Sequence, residues 1–208
     1  MPKLKLVYFA CKGRGEPIRM CLAHGRVPYE DQRISFDQWP EIKKSVPMGQ
    51  VPVLEIDGKQ ICQSRAIIKY VAKLTVPGLN GASDVEEAEI DMYAGGVDDF
   101  WPILVPYFWQ LVKKDPNAAS SFKQMMDGQL GTEMLPMWDK FLAKSKSGFL
   151  VNDKLSYADL MLWNILDCLR CWEPNSLKSF SNLQRALKVV AELPGIRQYL
   201  AHRPDMPY

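Results

Sequence analysis

A change of hydrophobic pattern near residue 75 constrains the fold of this chain more than any other feature. Before it, short apolar runs of period two alternate with runs of helical period, and Asp57-Gly58 marks a hairpin turn between two of them. After it, apolar residues recur at helical spacing without strand alternation. The pattern predicts an α/β domain over 1–75, a linker over 76–82 and an all-α domain over 83–208.

The elements of the first domain are predicted in the order β-α-β-α-β-β-α. Strands are expected over 3–8, 29–34, 51–56 and 59–62, and helices over 16–24, 37–44 and 65–73. In the second domain, helical regions are expected over 84–113, 117–144, 156–172, 183–193 and 195–203. Pro102 and Pro106 predict a bend in the first of these regions. Ser156 and Asp159 predict a capping box, with Leu155 stapled to Leu160.

Composition excludes several classes of function. The net charge of this 208-residue chain is only +2, so there is no broad electrostatic case for binding nucleic acid or an anionic membrane. No apolar run approaches the roughly 20 residues of a membrane span, and the apolar stretch at the start is too short for a signal peptide. Five cysteines without framework spacing indicate free thiols in a reducing compartment, which predicts a cytoplasmic protein.

Four short motifs stand in a specific order and spacing. They are Tyr8-Phe9 with Gly13-Arg14-Gly15-Glu16, Gln50-Val51-Pro52, Gln63-Ser64-Arg65-Ala66-Ile67, and Ser156-Tyr157-Ala158-Asp159. With the order of elements, they resemble the cytosolic glutathione transferases over the whole chain. The resemblance is closest to the sigma class, which includes haematopoietic prostaglandin D synthase and the S-crystallins. It implies a thioredoxin-like first domain, an all-helical second domain and a homodimer that uses glutathione as its cosubstrate.

The resemblance gives Tyr8 a catalytic role. A cysteine-type thiol has a pKa near 8.5, and lowering it by about two units needs roughly 2.7 kcal/mol of differential stabilisation. A tyrosine of pKa near 10 stays protonated while the thiol ionises, so its hydroxyl can donate to the sulfur anion. By resemblance, Arg14 lies close enough to favour both the phenol's role and the thiolate. The alternative is a strand-end tyrosine that packs in the core.

The same resemblance assigns residues to glutathione. Trp39 and Lys43 would hold its glycine end, and Gln50, Val51 and Pro52 would present backbone groups to its cysteine, with a cis bond before Pro52. Gln63 and Ser64 would bind the γ-glutamyl carboxylate at a helix N-terminus. Asp99 of the partner subunit would reach the γ-glutamyl ammonium. Ser64 can also be an ordinary N-cap, and Trp39 and Lys43 a half-buried residue beside a solvated one.

A second pocket is expected to take the electrophile. By resemblance it is built from side chains of both domains, namely Phe9, Trp101, Tyr107 and Met161. Asp98 matches one acid of a divalent-ion cluster in the prostaglandin synthase, but Gly95 occupies the place of a third acid, so no metal is expected.

We assign no catalytic, metal-binding or redox role to the cysteines. Cys168 and Cys171 form a C-x-x-C inside a predicted helix, which favours two buried thiols over a metal or redox site. Cys11 lies near the proposed site and could be reactive, although Tyr8 fits the catalytic position better.

Three functions compete. The first is a transferase that conjugates glutathione to small hydrophobic electrophiles in detoxification. The second is a glutathione-dependent prostaglandin-H2 D-isomerase. The third is a low-activity structural protein like the S-crystallins, which carry an insertion where residues 112–117 predict a short loop.

A homodimer would bring the basic face of one helix against an acidic helix of the partner. The basic face is Arg65, Lys69 and Lys73, and the acidic set is Glu86, Glu87, Glu89 and Asp91. Both faces can equally be solvated.

Overall fold

The computed structural model describes residues 2–75 and 79–206, so residues 76–78 of the predicted linker lie outside the described residues. The chain forms two compact units, one of Met1–Asn80 with Leu193–Pro207, the other of Gly81–Glu192. The elements are β1 (Leu4–Phe9), α1 (Glu16–His24), β2 (Glu30–Ile34), α2 (Trp39–Ile42), β3 (Val53–Ile56), β4 (Lys59–Cys62), α3 (Ser64–Thr75), α4 (Asp84–Asp98), α5 (Trp101–Val112), α6 (Ala118–Asp127), α7 (Leu135–Ala143), α8 (Tyr157–Trp172), α9 (Ser181–Glu192) and α10 (Pro194–His202).

The first unit is built on a four-stranded sheet in the order β2-β1-β3-β4. β1 runs parallel to β2 and antiparallel to β3, and β3 and β4 form the predicted hairpin. The parallel pairing places Tyr8 opposite Arg33 and Phe9 opposite Ile34. The predicted order β-α-β-α-β-β-α is confirmed, with small shifts at the ends of elements.

Alternation along β1 distributes its side chains between two layers. Val7 and Phe9 point to the same face, and this face packs against Trp39 and Val51. Tyr8 points to the opposite face, where its ring centroid lies 5.7 Å from the guanidinium carbon of Arg19 on α1. The strand is nonetheless apolar along most of its length because both faces are covered.

The last helix, α10, belongs to the first unit although it follows the second unit in the sequence. Gly195 makes this packing possible, since a Cβ atom on it would lie 2.6 Å from the carbonyl oxygen of Ala23 and 2.9 Å from the Cα of His24. Ile196 beside it is completely buried. The predicted helix over 195–203 is therefore confirmed with slightly different ends, and it packs directly on the backbone of α1.

In the second unit, two of the predicted helical regions are interrupted. The single helix expected over 84–113 is two helices, because α4 ends at Asp98 and α5 begins at Trp101. Pro102 lies in the first turn of α5, where its missing N–H costs no hydrogen bond, and Pro106 lies inside α5. The region over 117–144 is likewise interrupted, by a π-helical segment at Leu130–Met134 between α6 and α7.

Aromatic side chains form the centre of the second unit. Trp138 of α7 is 1% exposed, and its ring lies 5.9 Å from Tyr93, 6.1 Å from Phe100 and 5.8 Å from Phe141. α8 packs against α4 and α9, and nearly all of its residues are buried.

The connection between α5 and α6 spans only residues 113–117, so the predicted short loop is confirmed.

The predicted capping box at the start of α8 is confirmed. Asp159 Oδ2 accepts the backbone N–H of Ser156 at 2.8 Å and its hydroxyl at 2.7 Å, and Oδ1 accepts the N–H of Leu150 at 2.8 Å. Burial raises the pKa of Asp159 to about 6, against the lowering effect of these hydrogen bonds. At a pH above this value the group is therefore an ionised acceptor that ties the preceding loop to the buried helix.

We expect Asp159→Ala to lower the free energy of unfolding by about 2–4 kcal/mol, since three donors lose a charged acceptor and two of them lie on buried Ser156. Urea denaturation at slightly alkaline pH measures this. The matched control is Asp84→Ala, an exposed acid in the first turn of α4, for which a change below about 0.5 kcal/mol is expected. Equal effects of the two substitutions would contradict the role of the capping box.

Candidate functional site

Tyr8 lies near the end of β1, in a slot lined by two glycines. A Cβ atom on Gly13 would lie 2.4 Å from the Tyr8 hydroxyl, and a Cβ atom on Gly15 would lie 2.4 Å from its Cδ1 atom. Gly13 also has a φ of +39°, which favours glycine. The glycines that open the loop in the sequence therefore admit the tyrosine ring, which is 8% exposed.

The Tyr8 hydroxyl accepts a hydrogen bond from the backbone N–H of Arg14 at 2.9 Å. Because the oxygen is the acceptor here, the hydroxyl keeps its own proton for another partner. Burial raises the pKa of Tyr8 well above its ordinary value, Cys11 adds to this, and the Arg14 amide and the charges of Arg19 and Arg14 lower it. The phenol stays protonated at neutral pH and is available as a donor.

A buried arginine holds the loop that follows Tyr8. Arg19 is completely buried, and its guanidinium donates to the carbonyl of Cys11 at 2.9 Å and to that of Phe9 at 3.2 Å. It also pairs with Asp31 at 3.1 Å and with Glu16 at 3.5 Å. Burial lowers the pKa of Arg19, but the charges of Asp31 and Glu16 outweigh it and the pKa lies above its ordinary value. The sequence alone indicated no role for Arg19.

The other side of the sheet carries an aromatic cluster. The Phe9 ring lies 5.4 Å from Trp39 and 4.9 Å from Phe36, and Trp39 packs against the same cluster as Val51. The bond between Val51 and Pro52 is cis, as predicted. The structure thus brings together Phe9, Trp39 and Val51.

The loop between α2 and β3 contacts two further predicted residues, Lys43 and Gln63. The stem of Lys43 passes over Gly49, since a Cβ atom on that glycine would lie 3.3 Å from Lys43 Cε. Gln63 Nε2 donates to the Met48 sulfur at 3.6 Å, and Gln50 lies two residues after Met48 in the loop. Lys43, Gln50 and Gln63 are all exposed.

The start of α3 differs in detail from the prediction. Ser64 is the first helical residue, so the residue in the cap position is Gln63, whose carbonyl accepts the N–H of Ile67 at 3.0 Å. Gln63 has a φ of 72°, which is uncommon for a residue with a side chain. Such backbone geometry often accompanies a functional site. The first backbone N–H groups of α3 lie beside Ser64, and such groups at a helix N-terminus have no intrahelical partner.

The predicted residues of the second unit lie on α4, α5 and α8 or at their ends. Asp99 is exposed directly after α4, whereas Trp101 and Met161 are 9% and 7% exposed. Tyr107 is also largely buried, and its ring lies 5.3 Å from both Phe122 and Trp172.

Thiol chemistry is suppressed at Cys11. The residue is 5% exposed, and burial raises the pKa of its thiol to about 11, so almost none is thiolate at neutral pH. The prediction of two buried thiols on α8 is wrong for Cys171, which is exposed, and right for Cys168.

None of the five cysteines forms a disulfide, and residues 2–75 and 79–206 contain no group of three potential metal ligands. Within the same ranges, no helix has the length and apolar character needed to cross a membrane.

Comparisons with known proteins agree with this fold. Residues 3–73 match the family described as glutathione S-transferase, N-terminal domain, and residues 103–203 match glutathione S-transferase, C-terminal domain. Glutathione S-transferase 1 of Ascaris suum is 35% identical, with all of both chains covered. Prostaglandin synthase D of Nilaparvata lugens is 35% identical with a TM-score of 0.83, covering 98% of this chain and 100% of the other. Monomeric Na-GST-3 of Necator americanus is 30% identical with a TM-score of 0.88, covering 99% and 100%.

The chain therefore belongs to the glutathione S-transferase family. The predicted fold class, a thioredoxin-like α/β domain with an all-helical domain, is confirmed. Enzymes of this family use glutathione as cosubstrate.

Proposed function

We propose that this protein is a sigma-like glutathione transferase in which Tyr8 activates the glutathione thiol for attack on small hydrophobic electrophiles. The observation that carries the proposal is the hydrogen bond from the Arg14 N–H to the Tyr8 oxygen. This bond fixes the phenol and polarises its O–H, while the hydroxyl proton remains free to be donated to a sulfur anion. Arg14 would act through its backbone amide and, as a cation on the same loop, through the local field.

Tyr8 would act by hydrogen bonding and not as a base. Its raised pKa keeps the phenol protonated throughout the range in which a thiol near pKa 8.5 titrates. A hydroxyl that donates to an anion favours the ionised form, so the thiol would lose its proton at lower pH. The bound sulfur is then a thiolate, which is the nucleophilic form.

The first unit offers groups that suit each end of glutathione. Lys43 supplies an exposed cation for the glycine carboxylate, on the same short helical stretch as Trp39. The amides at the start of α3, with the Ser64 hydroxyl and Gln63, suit the γ-glutamyl carboxylate. Val51 would pair its backbone with the cysteine unit, and Asp99 of a partner subunit would face the γ-glutamyl ammonium.

Replacing Tyr8 by phenylalanine tests the donor role. We expect Tyr8→Phe to lower kcat near neutral pH by about ten- to a hundredfold, since one hydrogen bond to an anion is worth roughly 1.5–3 kcal/mol. The thiol of bound glutathione, titrated by its thiolate absorbance, should show a higher pKa. The KM for glutathione should change little because the groups proposed for its two ends are intact.

The matched control is Tyr70→Phe, a half-buried tyrosine on α3 of the same unit. It should leave both kcat and the thiol pKa unchanged. A Tyr8→Phe enzyme whose turnover and thiol titration equal those of the wild type would refute the proposed role.

A prostaglandin-H2 D-isomerase is the second candidate. The observation that favours it is the similarity to the prostaglandin synthase D structure from Nilaparvata lugens. We nevertheless propose broad conjugation as the main activity. Met161 is unbranched and adaptable, which suits a tolerant apolar pocket. By the resemblance to haematopoietic prostaglandin D synthase, Gly95 takes the place of an acid of that enzyme's divalent-ion cluster.

Initial rates on two substrates separate these activities. With glutathione present, kcat/KM for a chloronitrobenzene electrophile should exceed that for prostaglandin H2 by at least about tenfold, which corresponds to about 1.4 kcal/mol. Addition of Mg²⁺ should leave the isomerase rate essentially unchanged. A higher kcat/KM on the endoperoxide would make isomerisation the main function.

We also propose a homodimer, because the sequence places Arg65, Lys69 and Lys73 at intervals of four residues along α3. Part of the acidic set is engaged inside its own unit. The Tyr157 hydroxyl donates to Asp91, and Asn152 Nδ2 donates to Glu86 at 2.6 Å. Glu89 is exposed on α4.

Sedimentation equilibrium tests the charge pairing. Arg65→Glu should raise the dimer dissociation constant at least about tenfold at low salt and less at about 1 M salt, where exposed charges are screened. Adding Glu89→Lys should restore part of the affinity. A wild-type protein that sediments as a monomer, like the monomeric Na-GST-3 of Necator americanus, would refute the dimer. An unaffected Arg65→Glu dimer would refute the charge pairing.

A further inference from the structure

Glu16, at the start of α1, contacts the C-terminal segment of the first unit. Its side chain is completely buried at the start of α1. Oε1 accepts from Arg203 Nη1 at 2.9 Å, and Oε2 accepts from the Tyr199 hydroxyl at 3.0 Å. Oε2 also lies 3.5 Å from Arg19 Nη1. A buried carboxylate requires such partners, and two of these three come from the C-terminal segment that begins with α10.

Arg19 connects the Glu16 carboxylate to the loop that follows Tyr8. The Arg19 nitrogen that faces Glu16 is also the one that donates to the Cys11 carbonyl at 2.9 Å. The second terminal nitrogen donates to the Phe9 carbonyl at 3.2 Å, so one planar group holds the backbone on both sides of Ala10. The guanidinium carbon lies 5.7 Å from the centre of the Tyr8 ring. Because the guanidinium is planar and rigid, its contact with Glu16 and its contacts with the loop cannot shift independently.

The Tyr8 ring has little freedom to compensate for a shift of this loop. Gly13 and Gly15 leave no room for a Cβ atom on one side of the ring, and Arg19 lies on another. The hydroxyl must also stay at 2.9 Å from the Arg14 N–H. A displacement of Arg19 would therefore change the direction of the Tyr8 O–H, and hydrogen bonds weaken steeply with poor angles.

We propose that Glu16, Tyr199 and Arg203 are positioning residues for Tyr8, so that the C-terminal segment 194–203 sets how well the Tyr8 hydroxyl stabilises the glutathione thiolate. This inference rests on the function proposed above for Tyr8. None of the three residues is among those proposed to touch glutathione, so they act through Arg19 and the loop. Other charged or titratable groups around Arg19 and Tyr8 remain unchanged in the experiment below, namely Cys11, Arg14, Tyr29, Asp31 and Arg33.

A purely structural role for these residues would lower stability without changing the chemistry of the active site. A positioning role predicts a different result. The thiol pKa should rise and kcat should fall, while the KM for glutathione stays nearly constant. The pH dependence of kcat/KM therefore distinguishes the two roles, because loss of folded enzyme scales the profile without moving it.

The test uses Tyr199→Phe, which removes one hydroxyl donor, and Arg203→Met, which removes the cation and keeps an apolar stem. We expect each to raise the apparent pKa of the bound thiol by about 0.5–1 unit, which lowers kcat at mildly acidic pH by about three- to tenfold. The KM for glutathione should stay close to that of the wild type. The matched control is Arg197→Met, an exposed arginine on the same helix, which should leave the profile unchanged.

A double-mutant cycle with Tyr8→Phe identifies the route of the effect. If α10 acts through Tyr8, Tyr199→Phe should have almost no further effect on the thiol pKa when Tyr8 is already phenylalanine. Wild-type pH profiles for Tyr199→Phe and Arg203→Met would overturn the inference, as would effects that add fully to that of Tyr8→Phe.

Failure of the two proposals can be told apart. If Tyr8→Phe shifts the thiol pKa and the Tyr199 and Arg203 variants do not, the role of α10 is refuted and that of Tyr8 stands. If Tyr8→Phe itself leaves the thiol pKa unchanged, the function proposed for Tyr8 is refuted. Thermal melting checks the folding of each variant, and where Arg203→Met does not fold, Tyr199→Phe alone decides.

Discussion

The first unit depends on the pairing of one buried cation, Arg19. A guanidinium without contact to water must be matched by carboxylates and carbonyls, and removing one partner of a buried pair typically costs about 3–5 kcal/mol. The partners of Arg19 come from the loop after β1, the start of α1, the edge strand β2 and, through Glu16, the C-terminal segment. Satisfying this charge therefore requires β1, β2, α1 and α10 to meet in one arrangement.

The position of Tyr8 is a consequence of this arrangement and of two missing side chains. Gly13 and Gly15 let the loop pass so close to the ring that the Arg14 amide reaches the hydroxyl oxygen. In the role proposed for Tyr8, the donor is thereby held in place by the protein itself. A preorganised donor needs no reorganisation when charge develops on its partner, which is the usual basis of electrostatic stabilisation in enzymes.

Local patterns predicted the strands and most helices because their physical causes are local. The alternation along β1 and the hairpin at Asp57-Gly58 follow from pleat and turn chemistry, and the structure has both within a residue or two of the predicted positions. The sequence predicted a bend at Pro102 and Pro106, and the structure has a complete break between α4 and α5, which the apolar period does not indicate because it continues through Phe100 and Trp101. At this break, Phe100 is completely buried, and Pro102 in the first turn of α5 has no N–H to continue the hydrogen bonds of α4.

The sequence by itself determined the class of fold, the family and a set of candidate residues, because the relevant motifs are short and their spacing is specific. It did not identify Arg19, Glu16, Tyr199 and Arg203 as a group, since 183 residues separate Glu16 from Tyr199. Nor could it show that the Tyr8 hydroxyl is an acceptor for the Arg14 amide or that Cys11 is buried with a raised pKa. These facts belong to the tertiary structure, because burial and the direction of a hydrogen bond arise only when segments distant in the chain exclude water from the same volume.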